Sequence, residues 1–447
     1  MALTHEENEA LTRVGPGTLM GDALRQYWHP VLRSEKLVAD GPPVRVRLLG
    51  ENFVAFRATD GRIGFFDEGC PHRCASLALA HNAGNGLRCI FHGWKIDVSG
   101  QIVHIPTEPK ESALELASRV KVKHYPTWEA GGLVWVHLNT NGAPPKRPDF
   151  AFTHLPDAHV DVRVGKFNCN WLQAMEAVLD PAHLGQLHRS SFAENPIGGR
   201  KNPNHALETW KEQPALTFEA LSTPYGFRQA AIRTMADGAR HLNLRQFAAP
   251  YYSFLGSLDR YIILCVSVPH DDEWTSQFFI SYNAARPLDP EWMEDLWLYA
   301  NPDPDDIAGN IGSIDNMFGQ DRAAMRAGHA SGFPGRNFFH EDFIVQLSMG
   351  TIVDRTKENL GVSDSQISYV RRHLLKSAYD FRHGQQPWGL EEVDAFDYRK
   401  IQCGGKLLAP GEDWRGYDPY TEWAARIAAA AEADRTPEEP AAHSVRA

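Results

Sequence analysis

The sequence predicts an α+β protein of two domains: a small all-β domain followed by a larger α+β domain built on an antiparallel sheet. Three observations predict this. At 447 residues the chain is longer than one hydrophobic core usually serves. Residues 40–140 read as short β-rich runs separated by turn signals. Beyond a proline-rich stretch, strands mix with helical segments without the alternation of βαβ units.

Residues 1–36 are expected to form a helical segment that packs on the larger domain. The small domain is expected over 37–150, with strands at "VRVRLLG", "NFVAFRA", "RIGFFDE" and "GLVWVHL". Asp60-Gly61, Asn85-Gly86, Ser99-Gly100 and Gly131-Gly132 break these runs. "NTNGAPPKRPDF", with three prolines, reads as the linker ending near Phe150. The larger domain, 151–434, opens with a mostly helical stretch from Asn170 to Ser190, interrupted by Pro181. Strands follow in "GFRQAAIRTM", "LNLRQFAAPYYSF", "RYIILCVSV" and "SQFFISYNA". Helical segments come next, near 290–300, 315–327 and 364–383, and over Pro419–Asp434. The polar tail 435–447 is expected to be disordered.

Composition narrows the function. A net charge of −11 argues against nucleic acid as the main partner. No apolar run approaches the roughly 18 residues that cross a bilayer. Met1–Ala10 carries three glutamates and no basic cluster before an apolar core, so a cytoplasmic protein without a signal peptide is expected. Six cysteines, three clustered and three scattered, do not form a disulfide framework.

The clustered ones form a metal pattern. Cys70-x-His72 is followed, sixteen residues later, by Cys89-x2-His92. Each half offers one thiolate and one imidazole, the ligand set of a Rieske [2Fe–2S] centre. Neutral imidazoles in place of two thiolates raise the potential of such a cluster and suit it to relay single electrons. Structural zinc is the alternative, but zinc sites usually group like ligands as C-x2-4-C and H-x3-5-H. Cys74 and His81 fall outside the pattern and are read as non-ligands, and Trp94 as a packing residue.

A second pattern lies in "NWLQAMEAVLDPAHLGQLH". On helical spacing Glu176, Asp180 and His183 share one face, and a break at Pro181 or a local bulge is needed to bring His188 to the same point. Two histidines and a carboxylate make the facial triad of a mononuclear non-haem Fe(II) oxygenase. Alone, such residues are more often a solvated helix face. About ninety residues after a cluster motif, they are where a relay's terminal metal is expected.

These blocks, with "THEENEALTRVGPGTLMGDALRQYWHPV" and "EDFIVQLSMGTIVDRTKENLGVSDSQISYVRRHLL", resemble Rieske oxygenases of the phthalate 4,5-dioxygenase oxygenase-component group. Dehydrodivanillate O-demethylase-like enzymes belong to the same broad group. The resemblance implies iron at His183, His188 and Asp342, with Glu341 the competitor for the third position. It implies that Asp180 bridges His92 of one subunit to His183 of its neighbour, and hence a homotrimer or a multiple of three. Glu176 is expected to support the ligand set from just outside it, whereas Asp354, Arg355 and Glu358 read as caps and ion pairs.

The implied activity is oxidation of an aromatic acid by O2, either by ring dihydroxylation or by O-demethylation of a methoxylated aryl acid. Electrons come from NADH through a separate flavin/iron–sulfur reductase, with or without a ferredoxin, because no G-x-G-x-x-G nucleotide fingerprint is present. Arg228, Arg233, Arg240 and Arg245 are candidates to clamp a substrate carboxylate. The competing reading is a non-catalytic Rieske electron carrier, which accounts for the first motif only. A zinc-stabilised binding module conflicts with the ligand order.

Overall fold

The computed structural model describes residues 3–194, 216–235, 238–255, 261–309 and 311–433. The expected tail 435–447 lies outside them.

The small domain is built from antiparallel ribbons. Val44–Leu48, Glu51–Arg57 and Ile63–Asp67 form one three-stranded sheet, and His81–Asn82, Gly86–Arg88, Lys95–Asp97 and Ile102–His104 form a four-stranded one. Val44–Leu48 alternates polar with apolar, so Val46 and Leu48 turn inward while Arg45 and Arg47 face solvent. Its hairpin closes through Leu49 and Gly50, both at positive φ, as a two-residue turn of this twist requires. Between the two sheets Val54, Phe56, Phe66, Leu87, Trp94 and Ile96 make one core.

Two features depart from the sequence reading. Trp28–Arg33, inside the segment expected to be helical, is a strand paired with Leu133–His137, which in turn pairs with Thr127–Ala130. Its partner lies about a hundred residues away, so nothing local marks it as a strand. The small domain also carries a helix, Lys110–Arg119, whose Ala113, Leu116 and Ala117 pack against the core of the two sheets.

The true N-terminal helices are His5–Thr12 and Leu19–Leu24. Thr4 and Glu7 form a capping box on the first. Both pack on the long helix Ser365–Arg382, which buries Ile367, Val370, Leu374 and Ala378 along one face.

The larger domain holds an antiparallel sheet that has eight strands among the described residues. In spatial order it runs Val160–Phe167, Thr275–Tyr282, Ile262–Pro269, Tyr252–Phe254, Arg240–Ala248, Gly226–Thr234 and Leu216–Thr223, with Gly404–Leu408 also paired to Arg240–Ala248. Ile262–Pro269 and Thr275–Tyr282 are buried throughout, because the sheet is covered on both faces. One face carries the helix Trp171–Leu179, and the helix Phe338–Ser348 packs against that helix. Gln173 ties the two together, donating to the carbonyls of Gln346 and Gly350. No helix among the described residues is long and apolar enough to cross a membrane.

Candidate metal centres

The Cys-x-His and Cys-x2-His motifs occupy two loops of matching design at one end of the small domain. In the first, Cys74 N–H donates to Cys70 O at 2.8 Å and Cys70 N–H to Ala75 O. In the second, Gly93 N–H donates to Cys89 O at 3.0 Å and Cys89 N–H to Trp94 O. Each loop needs a left-handed residue four positions after its cysteine, and Cys74 (φ 58°) and Gly93 (φ 74°) supply it. At 93 only glycine fits, since a Cβ would come within 2.7 Å of the Pro106 ring. Cys74 therefore closes a loop and is exposed, whereas Cys70 and Cys89 are buried.

Cys70 and Cys89 are buried and adjacent, while His72 and His92 are half-buried with ring centroids 4.5 Å apart. Trp94 stacks on His72 at 4.8 Å and 5°. Burial, with the neighbouring Cys89 sulfur adding to it, pushes the Cys70 thiol up to about 11. Loss of solvent, followed by His72 and Arg73, lowers His92. A buried thiol reluctant to ionise and an imidazole reluctant to protonate are donors that a cationic cluster would satisfy.

The second group forms where a helix stops. Trp171–Leu179, capped by Asn170, ends with Asp180 in extended conformation. Asp180 closes a turn there, accepting from Ala182 N–H at 2.7 Å. After it a single helical turn, Leu184–Leu187, carries the chain from His183 to His188, whose rings lie 5.2 Å apart.

Asp342 arrives from the helix Phe338–Ser348. Its Oδ1 lies 3.2 Å from His183 Nε2 and 3.1 Å from His188 Nε2. One donor atom from each of the three falls within 4.8 Å of the other two, making this a group able to hold a metal ion.

The electrostatics fit a cation. Burial opposes charge on His183, but Asp180 (Nδ1 to Oδ2, 3.4 Å) and Asp342 outweigh it and hold this imidazole up at about 9. Burial likewise opposes ionisation of Asp342, and the two histidines overcome it, keeping the carboxylate far below the usual range. His183 Nε2 is buried and faces Asp342 without a well-aligned hydrogen bond. Two imidazole nitrogens converging on one ionised carboxylate is the donor set of a non-haem iron site.

Several sequence-derived candidates stand elsewhere. Glu176 does not reach the histidines. The helix ends before Asp180, so the single face drawn through Glu176, Asp180 and His183 does not exist, and the Glu176 carboxylate is held by Arg355 (3.0 Å) and Arg371 (2.6 Å). Asp354 caps Thr356, and Glu358 pairs with Arg371.

Arg228 and Arg240 are fastened by backbone carbonyls of Arg415, Tyr417 and Glu412. Arg245 lies on the sheet face toward the metal group, donating to Val178 O at 2.8 Å. Arg233 shares that face by strand alternation with Gln229, which donates to Leu179 O. Glu341 is fully buried and points to the far side of His188, with Ser191 and Ser331 as its other partners. Those serines carried no signal in the sequence.

A domain with paired Cys/His loops, joined to a sheet domain with a two-histidine, one-carboxylate group, defines a Rieske non-haem iron oxygenase component. The comparisons agree. The Rieske [2Fe-2S] domain family matches residues 27–126, and the LigXa C-terminal domain-like family matches residues 136–438. The chain is 36% identical to the phthalate 4,5-dioxygenase oxygenase subunit of Pseudomonas putida, covering 94% of this chain and 96% of that one. It is 30% identical to the 5,5'-dehydrodivanillate O-demethylase oxygenase subunit of Sphingobium sp. SYK-6, over 86% and 82%. The oxygenase in the carbazole-bound complex of carbazole 1,9a-dioxygenase with ferredoxin has the same fold, with a TM-score of 0.56 at 17% identity over 89% and 99%.

The chain belongs to the Rieske non-haem iron oxygenases, as an oxygenase component with a catalytic role rather than a pure electron carrier. Components of this kind use a [2Fe–2S] cluster, mononuclear iron and O2, and work with a separate reductase or ferredoxin.

Proposed function

We propose that this chain oxidises an aromatic carboxylic acid, with its cluster held by Cys70, His72, Cys89 and His92 and its iron by His183, His188 and Asp342. The observation that carries the reading is the convergence of His183, His188 and Asp342 in a chain that also bears the paired cluster loops. Iron, when bound, supplies open coordination positions at which O2 is activated.

The protein's own groups do the rest. Asp180 holds the Nδ1 proton of His183, which turns Nε2 toward Asp342. Gln229 and Arg245 pin the carbonyls of Leu179 and Val178, fixing the point where the chain leaves its helix for Asp180. Arg233 and Arg245, on the same sheet face, are the arginines of the four best placed to receive a substrate carboxylate. Burial lowers Arg233 to about 10, a cost that a bound anion offsets.

The Asp180 side chain keeps 26% of its surface exposed, enough for a group from outside the chain to reach it. We assign that group as His92 of a neighbouring copy, in a homotrimer or a multiple of three, with NADH-derived electrons delivered by a separate reductase.

The test is iron, sulfide and product analysis on anaerobically purified protein. About three iron and two sulfide per chain are expected, with turnover of an aryl acid in the presence of a reductase. A cis-dihydrodiol product would place the enzyme with phthalate-type chemistry, and formaldehyde with O-demethylation. Iron and sulfide in equal amounts, in protein never exposed to chelator, would refute the second centre.

A further inference from the structure

We infer that Glu341 is a positioning residue that fixes His188 as a metal ligand and, with Ser191 and Ser331, clamps together the segments that carry the ligands. The inference rests on the reading of His183, His188 and Asp342 as the iron site.

Consecutive residues of a helix diverge by about 100°. Glu341 and Asp342 therefore leave the Phe338–Ser348 helix in different directions, and His188 sits between them. Glu341 Oε2 lies 2.8 Å from His188 Nδ1, and Asp342 Oδ1 lies 3.1 Å from His188 Nε2. A carboxylate accepts and does not donate, so the contact with Glu341 puts the proton on Nδ1. The Nε2 lone pair is thereby turned toward Asp342, where the metal belongs.

The same carboxylate accepts from Ser191 Oγ at 2.7 Å and from Ser331 Oγ. Ser190, next to Ser191, accepts from the backbone N–H of Ala330 at 2.8 Å. One buried side chain thus joins three segments: the turn after His188, the stretch at 330–331 and the helix bearing Asp342.

Burial of a carboxylate is costly, and the described partners of Glu341 are one imidazole and two neutral hydroxyls. A dication on the far side of the imidazole would be a further electrostatic partner for this buried group. Glu341 through His188 and Asp342 directly then bring two negative charges to a divalent metal.

The experiment measures Fe(II) affinity by chelator competition in protein with its cluster assembled. The EPR signal of the nitrosyl adduct is recorded as a report on ligand geometry. Glu341→Gln keeps the shape and removes the charge. It is expected to weaken Fe(II) binding by about tenfold to a hundredfold, to alter the nitrosyl signal, and to leave the cluster's visible spectrum unchanged. Ser191→Ala with Ser331→Ala keeps the charge and loosens the clamp, and a smaller, severalfold weakening is expected.

Wild-type affinity and an unchanged nitrosyl signal in Glu341→Gln would overturn the inference. The same result in the soluble double-serine variant would overturn the clamp, should Glu341→Gln not fold. Failure of the underlying reading looks different: the unsubstituted protein, cluster intact, would bind no Fe(II) tightly at this centre.

Discussion

Glu176→Gln tests whether this carboxylate serves the metal or the fold. Glu176 sits between two buried guanidiniums: Arg355, whose side chain has no exposed surface, and Arg371 at 3%. Arg371 has a second carboxylate, Glu358, at 2.6 Å. Among the described residues Arg355 has only the Asn8 amide oxygen besides, at 3.2 Å. Neutralising Glu176 thus strands one buried cation rather than two, and breaking a buried pair in this way costs about 3–5 kcal/mol. At roughly 2–4 °C per kcal/mol for a domain of this size, the melting temperature should fall by about 10 °C.

The assay is calorimetry on metal-loaded protein, with iron content measured in parallel. Pairing Glu176→Gln with Arg355→Met should recover most of the loss, because the stranded charge leaves with its partner. If Glu176→Gln lost iron while melting within about 1 °C of the parent, the reasoning would fail and Glu176 would belong to the metal site.

Three further outcomes follow from the same structure. Gly93→Ala forces a Cβ to within 2.7 Å of Pro106 at a positive φ, so acid-labile sulfide and the visible cluster spectrum should be lost, whereas Cys74→Ser should keep both. Asp180→Asn should keep the cluster, weaken Fe(II) binding by loosening His183 and, once reloaded with Fe(II), still lose substrate-coupled turnover if it bridges subunits; full turnover in the reloaded variant would remove the bridge. His29, buried completely and lowered to about 3 by loss of solvent and then by His137, stays neutral in the folded protein while its unfolded counterpart protonates below about 6.5. The unfolded state then binds more protons, so stability should fall as pH drops from about 6.5 toward 4, by up to about 1.4 kcal/mol per unit from this group. Denaturant titrations across that range, with and without His29→Gln, check it.

How legible was the site before the structure? The cluster motif could be read because both ligand pairs are local: each loop spans five residues and carries its own hydrogen-bonded turn, so spacing in sequence fixes spacing in space. The second centre was legible in its residue types but not in its shape. A straight helix through Glu176, Asp180 and His183 extrapolates 3.6-residue spacing across a point where Pro181 has already ended the helix. The extrapolation placed Glu176 beside the ligand set as a supporting group, whereas in the fold its carboxylate is held by Arg355 and Arg371. Only the resemblance pointed to Asp342, because its approach to His188 depends on how one helix packs on another. The strand at Trp28–Arg33 was missed for the same reason.

That distinction bears on which residues control this enzyme. The histidines, legible in sequence, supply donor atoms; the packing seen in the fold decides where those atoms point. His183 owes its orientation to Asp180, held in place by Gln229 and Arg245 from two neighbouring strands. His188 owes its orientation to Glu341 from a helix about 150 residues further along the chain. Each imidazole thus has one nitrogen facing Asp342 and the other facing a different carboxylate, so the two are not equivalent. Asp180 remains partly open to solvent while Glu341 is sealed. On the proposed bridge, a neighbouring copy acts on the site through His183, and His188 is the fixed point against which it acts.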